Sequence, residues 1–222
     1  LCDRVAIMEH GRIIDIDKGV FWLPRILALL RDVPLHLTIA GDGPDRQELQ
    51  RRCLPLKERV SFCGHVSPDD VPALMARHDV LLMPSRFEGF GYALIEAMAT
   101  GCVPVASRIR GVTDFVIEDD QTGLLFPIGD VTAASNCIRR LAGSRELLDR
   151  LSAAGPRAFR NRFTTEQMGI AYMDVIRRIS AGPSLLHAPR DVDAFTLLPT
   201  GGAWRRLIPG NLKNVLRAYL YR

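Results

Sequence analysis

Two glutamates stand out by their setting. Glu88 lies in the segment Pro84-Ser85-Arg86-Phe87-Glu88-Gly89-Phe90-Gly91, and Glu96 follows with seven residues between them. Gly89 and Gly91 allow backbone amides to face a ligand. The run Tyr92–Thr100 reads as a helix opening directly after that loop. A helix N-terminus offers unpaired N–H groups and the positive end of a dipole, which suits a phosphate. Glu96 is surrounded by Ala93, Leu94, Ile95, Ala97, Met98 and Ala99. A carboxylate among apolar neighbours needs a partner or a ligand hydroxyl. A surface glutamate or a structural ion pair is the plain alternative.

Cations of the matching kind occur near the N-terminus. Gly11-Arg12 is followed by Lys18-Gly19, and two such cations flanking one loop could clamp a diphosphate. Arginine and lysine are also common in loops, so this pair is weak evidence alone. The turn Gly41-Asp42-Gly43-Pro44 permits close backbone approach, yet by itself it is ordinary turn chemistry.

The elements that must carry these residues alternate. Short β-rich runs at Val5–Met8, Leu35–Ala40, Arg59–Cys63, Val80–Met83, Val103–Ser107 and Gly123–Phe126 are strand candidates. Between them, helical patterns cover Pro24–Arg31, Pro44–Cys53, Pro68–Arg77, Gly91–Thr100 and Gly111–Ile117. Three more helices follow at Val131–Leu141, Arg145–Phe159 and Thr165–Ile179. Strands alternating with helices imply βαβ units, hence an α/β fold with a doubly wound, mainly parallel, Rossmann-like sheet. In such sheets ligands bind beyond the carboxyl ends of the strands, where every candidate loop above falls.

Composition limits the alternatives. The chain has 222 residues, 47% hydrophobic and 24% charged, as in an ordinary globular domain, which argues against a mostly disordered chain. A net charge of +4 is too mild to indicate a nucleic-acid partner. No uncharged apolar run reaches membrane-spanning length. Cys2, Cys53, Cys63, Cys102 and Cys137 are odd in number and lack C-x-x-C spacing, which favours reduced thiols and a cytoplasmic location, with Cys63 and Cys102 expected to be buried. Pro183–Pro209 lacks clear periodicity, so 183–222, in which Asn211–Leu220 could form a short basic amphipathic helix, reads as an irregular extension to a domain over 1–182. Within it, Trp204, Arg205, Arg206, Lys213 and Arg217 either touch anionic lipid at the inner membrane surface or form a solvated basic face.

Five segments occur in a telling order: "GR…DKGV", "LTIAGDGPDRQEL", "RVSFCGHV", "DVLLMPSRFEGFGYALIEAMATGCVPVAS" and "GVTDFVIEDDQTGLLFPIGD". Over roughly Arg12–Ile179 the chain resembles the C-terminal half of the retaining, nucleotide-sugar-dependent glycosyltransferases of two-Rossmann (GT-B) architecture, the large group 1 family with a Glu-x7-Glu signature. The resemblance implies that Glu96 binds the donor ribose hydroxyls and that Glu88 sits beside the donor sugar. It implies that Arg12 and Lys18 neutralise the departing diphosphate. Gly89 and the backbone amides of Phe90 and Gly91 would contact sugar or diphosphate, Gly41 would belong to the donor site, and Gly64, His65 and Val66 would lie against the base. The family needs no cofactor and typically no divalent ion; Asp15-Ile16-Asp17 is read as loop charge rather than a metal site, and Asp119-Asp120 as an exposed turn. Arg108 and Arg110 follow a strand end and either face the cleft or pair with neighbours.

Leu1–Ile14 also resembles the segment just downstream of the switch histidine of ABC-transporter ATPases, but the phosphate loop of such enzymes has no counterpart here. The acceptor-binding domain of a GT-B enzyme would precede Gly11-Arg12, so the expectation is a truncated enzyme: a donor-binding half that needs a missing N-terminal domain or partner subunit, with an unknown acceptor. Met168, Tyr172, Val175 and Ile176 of the last helix would then lie exposed. A non-catalytic nucleotide-binding or scaffold module is the alternative.

Overall fold

The computed structural model describes residues 4–8 and 16–181, with the side chains of 17–181. The described residues as far as Ala171 belong to one compact unit, and a second begins at Tyr172. The extension over 183–222, its basic residues, Arg12 and most of the ATPase-like segment lie outside the described residues.

Among the described residues, six strands form one sheet. They are β1 (Arg4–Met8), β2 (His36–Ala40), β3 (Val60–Gly64), β4 (Val80–Met83), β5 (Val103–Ser107) and β6 (Leu124–Phe126). Their spatial order is β3-β2-β1-β4-β5-β6, and every pairing is parallel. This is the doubly wound order, whose direction reverses between β1 and β4. The crevice for a ligand therefore opens above the carboxyl ends of those two strands.

Alternation along the strands builds two cores. Val80, Leu82, Val103, Val105, Leu124 and Phe126 enter one face, where they meet α1 (Leu23–Leu29) and α6 (Val131–Gly143). Leu81, Met83, Ala106 and Leu125 enter the other, against α3 (Val71–Met75), α4 (Tyr92–Thr100) and α5 (Thr113–Val116). Both faces being covered explains why β4 and β5 are buried at every position. α2 (Arg46–Cys53), α7 (Arg145–Arg162) and α8 (Thr165–Ala181) complete the described helices.

Strand and helix positions agree with the sequence reading to within a few residues at their ends. Three short 3-10 turns, at Ile16–Lys18, Val20–Trp22 and Leu54–Arg59, are not visible in the hydrophobic pattern. One expectation is corrected: Cys63 is exposed, whereas Cys102 is buried as expected, together with Cys53 and Cys137. The cause is position in the sheet. β3 is an edge strand, and Ser61 and Cys63 occupy its outward positions. An apolar run in an edge strand is not covered on both faces. On α8, Met168, Tyr172, Val175 and Ile176 are all exposed.

Candidate functional site: two loops joined at the strand-order reversal

The loop after β1 crosses the exit of β4. Gly19 makes this possible, with a left-handed backbone at φ 69°. A Cβ placed there would fall 2.0 Å from the carbonyl oxygen of Pro84, so no other residue fits without displacing the loop. Just before it, the backbone N–H of Arg86 donates to the carbonyl of Asp17 at 2.8 Å. The Arg86 guanidinium then lies over the Trp22 ring, 4.9 Å from its centroid.

Inside this junction, Lys18 and Glu88 meet. Lys18 Nζ donates to Glu88 Oε1 at 2.7 Å, across 70 positions of sequence. The same oxygen accepts from Ser85 Oγ at 2.7 Å, and Ser85 is fully buried. The Glu88 side chain is only 9% exposed and that of Lys18 26%. A carboxylate this shielded needs both donors. Lys18 follows β1 and Glu88 follows β4, so the pair spans the reversal of strand order.

Beyond Glu88 the loop turns outward. Gly89 has open space around its Cα, and Phe87 is 72% exposed. Phe90 and the 64%-exposed Tyr92 pack edge to face with centroids 5.1 Å apart. Gly91 caps α4 from a left-handed conformation (φ 81°, ψ 49°) and has no side chain to occupy the first-turn amides. Those amides are left to serve an anion. Glu96 lies in the second turn of α4. It is half-buried, its Oε2 is shielded from solvent, and Ala93, Leu94, Ile95, Ala97 and Met98 around it are buried.

A second cluster joins the ends of β2 and β3. The Gly41 N–H donates to the Gly64 carbonyl at 2.7 Å. A register shift at Ile39/Ala40 places Ala40 opposite Gly64. His65 is exposed and Val66 half-buried.

The structure thus brings Lys18, Glu88, Gly89, Phe90 and Gly91 to one junction, with Glu96 on the helix that leaves it and Gly41 and Gly64 joined beside it. Arg108 pairs with Asp119, whose other oxygen accepts from the Leu125 N–H at 2.9 Å; Arg110 is exposed. Asp119 and Asp120 are exposed, as expected of a turn. Among the described residues no group of three or more His, Cys, Asp or Glu side chains is placed to hold a metal ion. The sequence reading missed the buried anchoring role of Ser85 and the Trp22–Arg86 stack. The Ser85-x-x-Glu88 spacing, which lets the hydroxyl reach the carboxylate within one turn of chain, is the only sequence signal for the first. The stack carried no sequence signal.

Comparison with known proteins places the chain in a family. The family described as "Glycosyl transferases group 1" matches residues 4–144. The alpha-D-kanosaminyltransferase of Streptomyces kanamyceticus is 31% identical over 156 residues, 68% of this chain and 40% of that protein. The lipopolysaccharide core biosynthesis glycosyltransferase LpsE of Rhizobium meliloti is 30% identical over 176 residues, 78% of this chain and 50% of that protein. The chain therefore spans about half the length of these relatives or less. Among solved structures, Anabaena Alr3699/HepE in complex with UDP and glucose superposes with a TM-score of 0.68 at 25% identity, over 78% of this chain and 48% of that one. The C-terminal domain of a glycosyl transferase group 1 protein (LpcC) from Francisella tularensis has the same fold (TM-score 0.64, 22% identity), covering 73% of this chain and 87% of that domain. With the family match over well more than half its length, this chain belongs to the glycosyl transferases group 1, and its fold is one Rossmann-like half of the GT-B architecture.

Proposed function

We propose that this chain is the donor-binding half of a retaining glycosyltransferase that uses a nucleoside diphosphate sugar. One observation carries the reading: Lys18 and Glu88, 70 positions apart, meet at the strand-order reversal beside the open N-terminus of α4. In the transfer, the bond between the anomeric carbon and the diphosphate oxygen breaks and its electron pair leaves with the diphosphate. The acceptor oxygen bonds to that carbon with retention, and the acceptor proton leaves with the diphosphate or to water. Charge therefore grows on the diphosphate. Lys18, with Arg12, and the first-turn amides of α4 stabilise that charge more in the transition state than in the ground state. Glu88 lies beside the donor sugar, Glu96 holds the ribose hydroxyls, and Gly64, His65 and Val66 lie against the base, with Gly41 supporting them.

The acceptor half is supplied by another segment or subunit, consistent with relatives twice the length of the match. We place the protein in the cytoplasm, where its free thiols stay reduced; no helix among the described residues is long and apolar enough to cross a membrane. The alternative, a nucleotide-binding module without turnover, draws on the same half-length match.

Calorimetric titration of the folded chain with UDP, GDP and ADP tests the donor-site reading. Binding of at least one of them is expected, with loss of that binding in Glu96→Ala. A folded chain that binds none of the three, or binding untouched by that substitution, would overturn it. Release of UDP or GDP from a sugar nucleotide, in the presence of the acceptor half, separates the enzyme from the module.

A further inference from the structure

Arg46, the first residue of α2, stands at the carboxyl edge of the sheet over Gly64. Its side chain is 30% exposed. Nη1 donates to Asp42 Oδ2 at 3.2 Å, and that pair also orients the Gly41–Gly43 turn, where Asp42 Oδ1 accepts from the Gly43 N–H at 2.8 Å. Among the described residues, the hydrogen bond of this guanidinium uses Nη1 and neither Nη2 nor Nε. A Cβ at Gly64 would lie 3.5 Å from Nη1, 3.8 Å from Nη2 and 4.0 Å from Cζ. The nitrogens being nearer than the carbon, the nitrogen end of the guanidinium faces Gly64. Gly64 in turn is fixed to Gly41 through its carbonyl.

We infer that Arg46 reads the nucleobase of the donor, donating from Nη2 to a ring carbonyl oxygen of a keto base such as uracil or guanine. This rests on the donor-site reading above, which sets the base against Gly64–Val66. Three features make the assignment. A guanidinium is a donor only, never an acceptor, so it favours a carbonyl edge over the amino edge of adenine. Asp42 holds its other nitrogen, so the fork is oriented before the ligand arrives. The lack of a side chain on Gly64 leaves Nη2 uncovered on the side of the β3 end, where a base edge can approach it. Arg46 follows β2 whereas Lys18 and Glu88 follow β1 and β4, so its effect is expected on base preference and not on diphosphate affinity.

The test is calorimetry of the full chain with UDP, GDP, ADP and inorganic pyrophosphate, for wild type, Arg46→Ala and Arg46→Lys. Circular dichroism melting confirms that each variant folds. The wild type is expected to prefer UDP or GDP over ADP. Arg46→Ala should lower affinity for the preferred nucleotide by about tenfold, which is the scale of one base-reading arginine contact. It should also collapse the preference over ADP while leaving pyrophosphate binding unchanged. Arg46→Lys, which keeps the charge and loses the fork, should restore little of the preference. An unchanged base preference in Arg46→Ala overturns this inference alone. Equal weakening of all nucleotides and pyrophosphate also overturns it, because that pattern is general charge attraction. Absence of any nucleotide binding to the folded wild type overturns the donor-site reading and Arg46's role together.

Discussion

Lys18 Nζ and Glu88 Oε1 lie 2.7 Å apart, joining the loop after β1 to the loop after β4 inside a junction that shields the carboxylate almost completely. The contact does two things. It satisfies a glutamate that Ser85 alone would leave short of donors, and it holds a cation at the point where a diphosphate would arrive. Replacing Lys18 by Met should therefore cost fold stability and ligand affinity at once. The expected stability loss is about 1–3 kcal/mol, the scale for a shielded carboxylate deprived of one donor. UDP affinity should fall by about tenfold or more, while uridine, which has no phosphate, binds as before. Chemical denaturation and titration with both ligands check this; equal loss for uridine and UDP would contradict the assignment.

Gly19 and Gly89 are neighbours of this pair with opposite tolerances. Gly19→Ala puts a methyl 2.0 Å from a backbone oxygen in a left-handed conformation. The loop must move, so a marked drop in melting temperature is expected, corresponding to several kcal/mol, roughly the upper range for single substitutions. Gly89→Ala meets nothing within 4 Å. Its melting temperature should stay within about 2 °C of wild type, matching a surface change of under 0.5 kcal/mol. Any loss of nucleotide binding in Gly89→Ala would then belong to ligand contact and not to folding.

Glu96 offers a test of the ribose assignment. Its carboxylate is half-buried on a helix packed on apolar side chains, which suits two adjacent hydroxyls. Wild type should prefer UDP over 2′-deoxy-UDP. Glu96→Gln keeps the shape and removes the charge, so the preference should shrink by about tenfold, the scale of a charge-assisted hydrogen bond. Unchanged discrimination between the two nucleotides would remove Glu96 from the ribose.

The thiols respond to pH in a defined direction. Burial pushes Cys53 and Cys137 up to about 11 from the ordinary thiol value of 9.0. The folded state holds these protons more tightly than the unfolded chain. Their contribution is therefore fully present below pH 9 and is lost as the pH rises from there towards 11. Urea midpoints measured from pH 8 to 11 should fall over that window, and Cys53→Ala with Cys137→Ala should flatten the fall. At pH 8, iodoacetamide followed by peptide mapping should label Cys63 promptly and leave Cys53, Cys102 and Cys137 protected.

The sequence by itself determined the parts. Val80–Met83 and Val103–Ser107 coincide residue for residue with β4 and β5, because a strand buried on both faces is an unbroken apolar run between turn residues. The helix after the glycine loop was equally plain, since Gly91 and Gly101 bracket it with left-handed backbone at both ends. Glu88 and Glu96 were singled out by the contrast between a carboxylate and its apolar surroundings. These are local signals, written in periods of two and 3.6 residues and in the φ that glycine permits. Only the tertiary structure decided which loops meet. That Lys18 reaches Glu88, that Gly41 bonds Gly64, and that Cys63 faces outward all follow from the order in which six parallel strands pair. That order is set by burying two apolar faces at once, and no stretch of chain shorter than the whole sheet contains it.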